Sequence, residues 1–333
     1  MNTTRIDRTR AARWTVGLLY MLFHSSCERP HPEQGYLHAA IDSLYTHSLH
    51  RAKLDRQALW RQVDIQLTDT STRAHSHAIL NTLVNGIDRH SALYPPGAVR
   101  ERLQPATDRA LTYPFSCRLL KDRIALVRVD GFMNGDSLSC GLFADSLQRA
   151  VLDLHAQRPI GWLIDLRSNT GGNMYPALAG LGPLLGCGDL GWDALPDGTR
   201  QAWWYCRAAD HPEGADHITL VRSPVVLPDT LPAVVLIGQR TGSGGEALAM
   251  SFIGRPRTRI FGARTAGFAT GNRMCFLADS AILNVTNSLM TDRTGGTHPE
   301  GIDPHVAFAT EEEAFHAALE SLSVEGTASN GSK

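Results

Sequence analysis

Residues 241–250 read TGSGGEALAM, and the apolar run AVVLIG precedes them at 233–238. Ser243 is the chemically useful residue in this stretch. A buried strand that turns directly into a helix leaves the first helical N–H groups without partners. A hydroxyl placed at that bend lies beside free donors and at the positive end of the helix dipole. It can attack a carbonyl while neighbouring N–H groups stabilise the oxyanion. Gly242, Gly244 and Gly245 allow the sharp backbone and leave room for a substrate. The bland alternative is a glycine turn with a serine N-cap, a common use of serine.

A second stretch shifts the balance. IDLRSNTGGN at 164–173 also follows an apolar run and leads into a helical pattern. Gly171 and Gly172 can bring a further backbone N–H toward a carbonyl, and Asp165, Arg167 and Asn169 can brace the loop. Two glycine turns at strand ends, one of them holding a serine, fit an oxyanion hole built from separate loops. A serine nucleophile also needs a base. Lysine occurs only at 53, 121 and 333, so none lies between 122 and 332 and Ser243 has no local candidate for a Ser–Lys pair. Arginine supplies most of the positive charge and does not deprotonate. Histidine remains, with 14 copies, and residue types alone do not choose among them. Thr241 stands where an α/β-hydrolase elbow has glycine, which counts against that class.

The elements that must position these residues are legible in outline. Between 35 and 103 the pattern is helical, with Leu37, Ala40, Ile41, Leu44 and Leu49 near one stripe. Asp55 is expected to cap a second helix and Ser76 a third, and LYPPG at 93–97 breaks the run. Short apolar runs at 123–129, 160–166, 233–238 and 259–262 read as buried strands, with amphipathic stretches at 142–157 and 174–186 between them. That alternation predicts an α/β fold with a mixed sheet covered by helices. Residues 187–230 read as irregular hairpins or an excursion toward substrate. Thr310 and Glu313 predict a capping box opening a last helix, followed by a frayed tail. The expected division is a segment at 1–27, a helical subdomain at 28–110, a core at 111–310, and a closing helix and tail at 311–333.

Composition bounds the rest. The chain has 333 residues, 43% hydrophobic and 20% charged, which marks a globular protein. A net charge of −1 argues against a nucleic-acid partner held by phosphate contacts. Arg5, Arg8, Arg10 and Arg13 precede an apolar run at 14–23, and Ser25-Ser26-Cys27 follows. This is the layout of a bacterial export signal, with Cys27 as a candidate for lipidation and membrane anchoring. Cysteines at 27, 117, 140, 187, 206 and 275 show no CxxC spacing, so no structural metal site is expected. Buried thiols are the expected state, with room for one bridge.

IDLRSNTGG, VVLIGQRTGSGGEALA and GARTAGFATGN, in this order and spacing, resemble the C-terminal-processing and tricorn-like serine peptidases. GIDRHSALYPP at 86–96 and HPEGIDPHV at 298–306 resemble that family's flanking motifs, and the likeness covers roughly residues 35 to 310. It implies a crotonase-like core and a serine peptidase acting on peptides or proteins without a cofactor. Ser243 matches the nucleophile, and the N–H groups of Gly244 and of Gly171 or Gly172 match the oxyanion hole. Phe268 stands where one branch has its lysine base, so the tricorn-like Ser-His-Glu branch without a PDZ domain is implied. His90 then matches the base, and Glu300 the carboxylate that orients it. Asp303 is a rival for that place, and Ser91, beside His90, a further supporting candidate. Arg89 departs from the glycine usual before the histidine. The implied location is the periplasm or cell envelope of a bacterium. Two rivals stay open at this point. One is an apolar-ligand-binding protein on the same scaffold. The other is a small-ester hydrolase pairing Ser243 with a later histidine such as His298.

Overall fold

The structure is a computed structural model that describes residues 31–103, 113–206, 223–228 and 231–330. The export signal at 1–27 and Cys27 lie outside the described residues.

Three helices open the described chain: α1 (Pro32–His47), α2 (Arg56–Asp64) and α3 (Arg73–Asn85). Leu37, Ala40, Ile41 and Leu44 form the buried stripe of α1. Leu49 leaves that helix, and its N–H donates to the Thr286 carbonyl at 2.8 Å. Asp55 caps α2 as expected, accepting the N–H groups of Gln57 and Ala58. The cap of α3 is Thr72, one turn earlier than Ser76. Ser76 is buried inside the helix, and its hydroxyl donates to Glu33 Oε2 at 2.8 Å.

The chain then runs through β1 (Ala92–Tyr94), α4 (Pro96–Leu103), β2 (Phe115–Leu119), β3 (Ile124–Val129) and α5 (Ser137–Ala156). Next come β4 (Gly161–Asp165), α6 (Tyr175–Leu185), β5 (Gly188–Ala194), β6 (Arg200–Tyr205) and β7 (Ala233–Ile237). It closes with α7 (Gly244–Phe252), β8 (Thr258–Gly262), β9 (Thr270–Phe276), β10 (Ile282–Asp292), β11 (Val306–Ala307) and α8 (Glu311–Asn330).

Two sheets result, and the fold is mixed α/β. The first has the order β11-β8-β7-β4-β3-β2, parallel except for β2. Its central strands β4 and β7 are buried along their whole length, which is why their sequences are unbroken apolar runs. Side chains from α5, α6 and α7 fill one face, and Ala314, Ala318 and Leu322 of α8 cover the other. The predicted capping box opens α8: Glu313 N–H donates to Thr310 Oγ1, and Thr310 N–H to Glu313 Oε2.

The second sheet is antiparallel, with the order β1-β10-β5-β6. Strand β9 pairs with the opposite edge of β10, since both β1 and β9 bond residues 282–284. Helices α1 and α3 pack against this sheet through Leu283 and Val285. So β1, inside the segment expected to be helical, ties that segment to β10. The region read as irregular begins with the β5–β6 hairpin, and a Cys187–Cys206 disulfide joins its ends with the Cα atoms 5.1 Å apart. The expectation of thiols is corrected for these two, because flanking strand pairing brings them together. Among the described residues, no helix is long and apolar enough to cross a membrane.

Candidate active site

Strand β7 ends at Ile237, and the chain turns back through Thr241 and Gly242 to start α7 at Gly244. Thr241 fixes this turn: its hydroxyl donates to Leu166 O at 2.9 Å and accepts Gly238 N–H at 3.0 Å. Ser243 has φ 50° and ψ −116°, a conformation that costs a non-glycine residue about 1–3 kcal/mol. Glu246 stabilises it. This carboxylate is completely buried and accepts four donors. Oε2 takes the N–H groups of Ser243 and Phe268, both at 2.8 Å, and Oε1 takes Thr265 Oγ1 at 2.6 Å and Gly267 N–H at 2.9 Å. One buried carboxylate therefore joins the serine turn to the loop that carries Phe268.

The second glycine turn packs directly on the first. Asp165 and Arg167 brace it with a two-pronged ion pair at 2.7–2.8 Å. Gly171 has φ 109° and Gly172 φ 105°, and neither has space for a side chain. A Cβ on Gly171 would lie 2.9 Å from Ser243 Cβ, and one on Gly244 would lie 2.6 Å from Gly172 O. The three candidate N–H groups are not equivalent. Gly171 N–H donates to Asn169 Oδ1 at 3.0 Å. Those of Gly172 and Gly244 donate no hydrogen bond among the described residues. Gly244 is also the first residue of α7, at the positive end of its dipole. A small cavity beside these two glycines is lined by Phe132, Met174, Ala177 and Leu248.

His90 arrives from the other sheet. Asp88 shapes its backbone: the carboxylate accepts N–H from His90 at 2.8 Å and from Ser91 at 2.6 Å, and hydroxyls from Ser91 and Thr286. Burial alone would raise this carboxyl, but the hydrogen bonds from Ser91, His90 and Thr286 outweigh it and hold it below the usual range. The His90 ring is fixed at both nitrogens. Nδ1 lies 2.7 Å from Thr270 Oγ1, and Nε2 lies 3.0 Å from Asn272 Nδ2. An amide NH₂ is a donor, so Nε2 accepts and the proton of the neutral ring belongs on Nδ1, toward Thr270. Burial pushes the imidazole below its ordinary pKa, with Asp88 opposing.

Phe268 is the common neighbour. Its ring centroid is 5.1 Å from that of His90, and its Cδ2 would lie 3.5 Å from a Cβ on Gly242. Gly242, the residue before Ser243, and His90 thus border the same aromatic ring. No hydrogen bond joins Ser243 to His90 in this structure; catalytic contacts often tighten only with substrate bound.

Other sequence candidates sit elsewhere. Glu300 is exposed, and none of the His90 ring contacts involves it. Its loop is held by backbone instead: Ile302 N–H donates to Thr265 Oγ1 at 2.7 Å, and the Glu300 carbonyl packs beside Gly267. Asp303 forms an ion pair with Arg264 at 2.7 Å. Ser91 is buried between Asp88 and Thr286 and braces β1 on β10. His298 is held by Asp292 at 2.8 Å, and His305 Nδ1 accepts Ile260 N–H at 2.9 Å. Sequence reasoning missed Thr270 and Asn272. They share one face of β9, two residues apart, a spacing that signals nothing unless the strand itself is recognised.

The nisin-resistance protein of Lactococcus lactis subsp. lactis is 31% identical over 154 residues, which are 44% of this chain and 45% of that protein. The match thus spans under half the length of that curated relative. A lipoprotein from Streptococcus agalactiae superposes with a TM-score of 0.71 at 22% identity, over 87% of this chain and 96% of that one. The photosystem II D1 C-terminal processing protease gives 0.61 at 15% identity, over 88% and 97%. These two likenesses establish the fold. The sequence profile of peptidase family S41 matches residues 123–308, more than half of the chain, and the chain belongs to that family of serine-type peptidases.

Proposed function

We propose that this protein hydrolyses peptide bonds with Ser243 as nucleophile and His90 as general base. One observation carries the proposal: Ser243 is held at φ 50° at the head of α7, between two N–H groups that donate to nothing else described, and the residue before it, Gly242, borders the ring that His90 packs on. Neutral His90 takes the Ser243 proton at Nε2 as the hydroxyl attacks the substrate carbonyl. The Asn272 amide, which caps Nε2 at rest, must yield that position. The oxyanion is received by Gly172 and Gly244 rather than Gly171, whose N–H is used by Asn169. His90 then protonates the leaving amine, and later activates the water that releases the acyl group. Thr270 occupies the place expected of Glu300, at Nδ1, and fixes the tautomer. A peptide or protein substrate follows from the family.

Location in the bacterial envelope is supported by the arginine-led apolar run before Cys27, by the Cys187–Cys206 disulfide, and by the likeness to a lipoprotein. Mass spectrometry of the native chain tests this: an unprocessed Met1 terminus counts against export, and a lipid on Cys27 establishes anchoring.

The mechanism is tested with a fluorophosphonate probe and a quenched peptide library. Wild type should be labelled and should cleave peptides, and Ser243→Ala should do neither. Equal labelling of both proteins would remove Ser243 from the reaction.

A further inference from the structure

Arg89 directly precedes His90, and its side chain is exposed. Its guanidinium carbon lies 5.1 Å from the Phe268 centroid, and His90 meets the same ring at 5.1 Å. Guanidinium and imidazole are therefore within about 10 Å of each other. An extended peptide advances ~3.3 Å per residue. Arg89 thus lies within reach of a substrate group one to three residues from the bond that Ser243 attacks.

Arg89 forms no ion pair with a carboxylate among the described residues. Asp88, its neighbour in sequence, accepts two N–H groups and two hydroxyls. Glu246 is buried and accepts four donors of its own. Asp303 is bound by Arg264, and the charge of Glu300 also acts on Arg264. Asp88, Glu246 and Asp303 thus have partners of their own, and the exposed Arg89 guanidinium keeps its charge available beside Phe268. Stacking over an aromatic face keeps the edge of a guanidinium, with its N–H fork, available. That fork matches a carboxylate in a two-pronged geometry.

We propose that Arg89 recognises a carboxylate of the peptide substrate, one to three residues from the scissile bond, and so sets the specificity of the reaction proposed above. The carboxylate is either the substrate's free C-terminus or an Asp or Glu side chain. The proposal rests on the peptidase reading, and its test is arranged to fail separately from it.

Binding is measured first, in the Ser243→Ala background, by fluorescence anisotropy. The probes are labelled peptides of one sequence: the free acid, the C-terminal amide, and amides with Asp moved along positions one to three on either side of the cleaved bond. A charge-assisted pair worth about 1.5–3 kcal/mol corresponds to roughly 10–100-fold in affinity. At least one carboxylate peptide should bind that much more tightly than the neutral amide. Adding Arg89→Gln should bring the ratio near one, and Arg89→Lys should restore part of it. Preference for the free acid identifies the C-terminus as ligand; preference for one Asp register identifies a side chain. The same ratio is then read as kcat/KM with Ser243 intact. Equal binding of acidic and neutral peptides, or a preference that survives Arg89→Gln, overturns the proposal. Failure of the Ser243-intact protein to cleave any peptide overturns the peptidase reading instead, and the binding ratio still decides the role of Arg89.

Discussion

The two halves of the site are built differently. Ser243 is held by nearby backbone, by glycines that exclude side chains, and by one carboxylate three residues on. The His90 ring is held by side chains 180 and 182 positions later in the chain, Thr270 and Asn272, and its turn by Thr286, which bonds Asp88 from 198 positions away. The serine turn, the proposed nucleophile, is a local feature that the fold accommodates. His90, the proposed base, has a place only once the two sheets have assembled. Glu246 serves both halves, because the loop it anchors also carries Phe268, on which His90 packs.

The comparison yields graded expectations. The largest effect belongs to the reacting groups. Ser243→Ala or His90→Ala should each lower turnover by ~10³-fold or more, and the double variant should be no worse than either, since such groups act as a unit. Additive losses in steady-state kinetics would mean that the two do not share a step.

Glu246→Gln removes the link between the halves and leaves buried donors facing an amide. Unmet donors cost about 1–3 kcal/mol each. The urea midpoint should fall, and labelling of Ser243 should slow. An unchanged midpoint with full labelling would show that the serine turn keeps its shape without the carboxylate.

A more moderate effect is expected in the base half. The proposed base, His90, would work as neutral imidazole, and burial lowers its pKa, so the neutral form persists to lower pH than for an exposed histidine. The acid limb of kcat/KM should therefore lie below about 6.5, the ordinary imidazole value. Activity should be full at pH 7 and fall as acid protonates Nε2. Thr270→Val keeps the shape and removes the Nδ1 partner, and should lower kcat by roughly 10-fold, less than the ~10²-fold or more that a positioned base contributes. An acid limb above the ordinary value, or a silent Thr270→Val, would transfer the role of base to another histidine. The smallest change is expected for Glu300→Gln, within about two-fold, as for an exposed residue away from the chemistry. A crippled Glu300→Gln enzyme would mean that substrate draws this loop onto His90.

These differences follow what a sequence can express. The serine turn was legible because its causes are adjacent: a buried strand, glycines and a helix within a dozen residues. The central strands β4 and β7 were legible because burial on both faces demands continuous apolar runs. Strands β9 and β10 were not, because an antiparallel sheet with one half-exposed face mixes polar and apolar positions. Without β9, Thr270 and Asn272 could not be placed, and Glu300 was the nearest carboxylate that the motifs offered. Glu246 lies only three residues beyond Ser243, but its bonds to Gly267 and Phe268 depend on a loop some 20 positions away.

The distance along the chain between His90 and its supports also sets a timetable. During synthesis or export, His90 emerges long before Thr270, Asn272 and the β10 edge on which β1 docks. Until about the last seventh of the chain is available, Ser243 has its elbow but no aligned base. On the proposed mechanism, an incomplete polypeptide is thereby prevented from cutting its neighbours, or itself, while still unfolded. Chains stalled at successive lengths and exposed to a fluorophosphonate should stay unlabelled until β10 is present; labelling of a chain ending before β9 would show that the base is not needed for acylation.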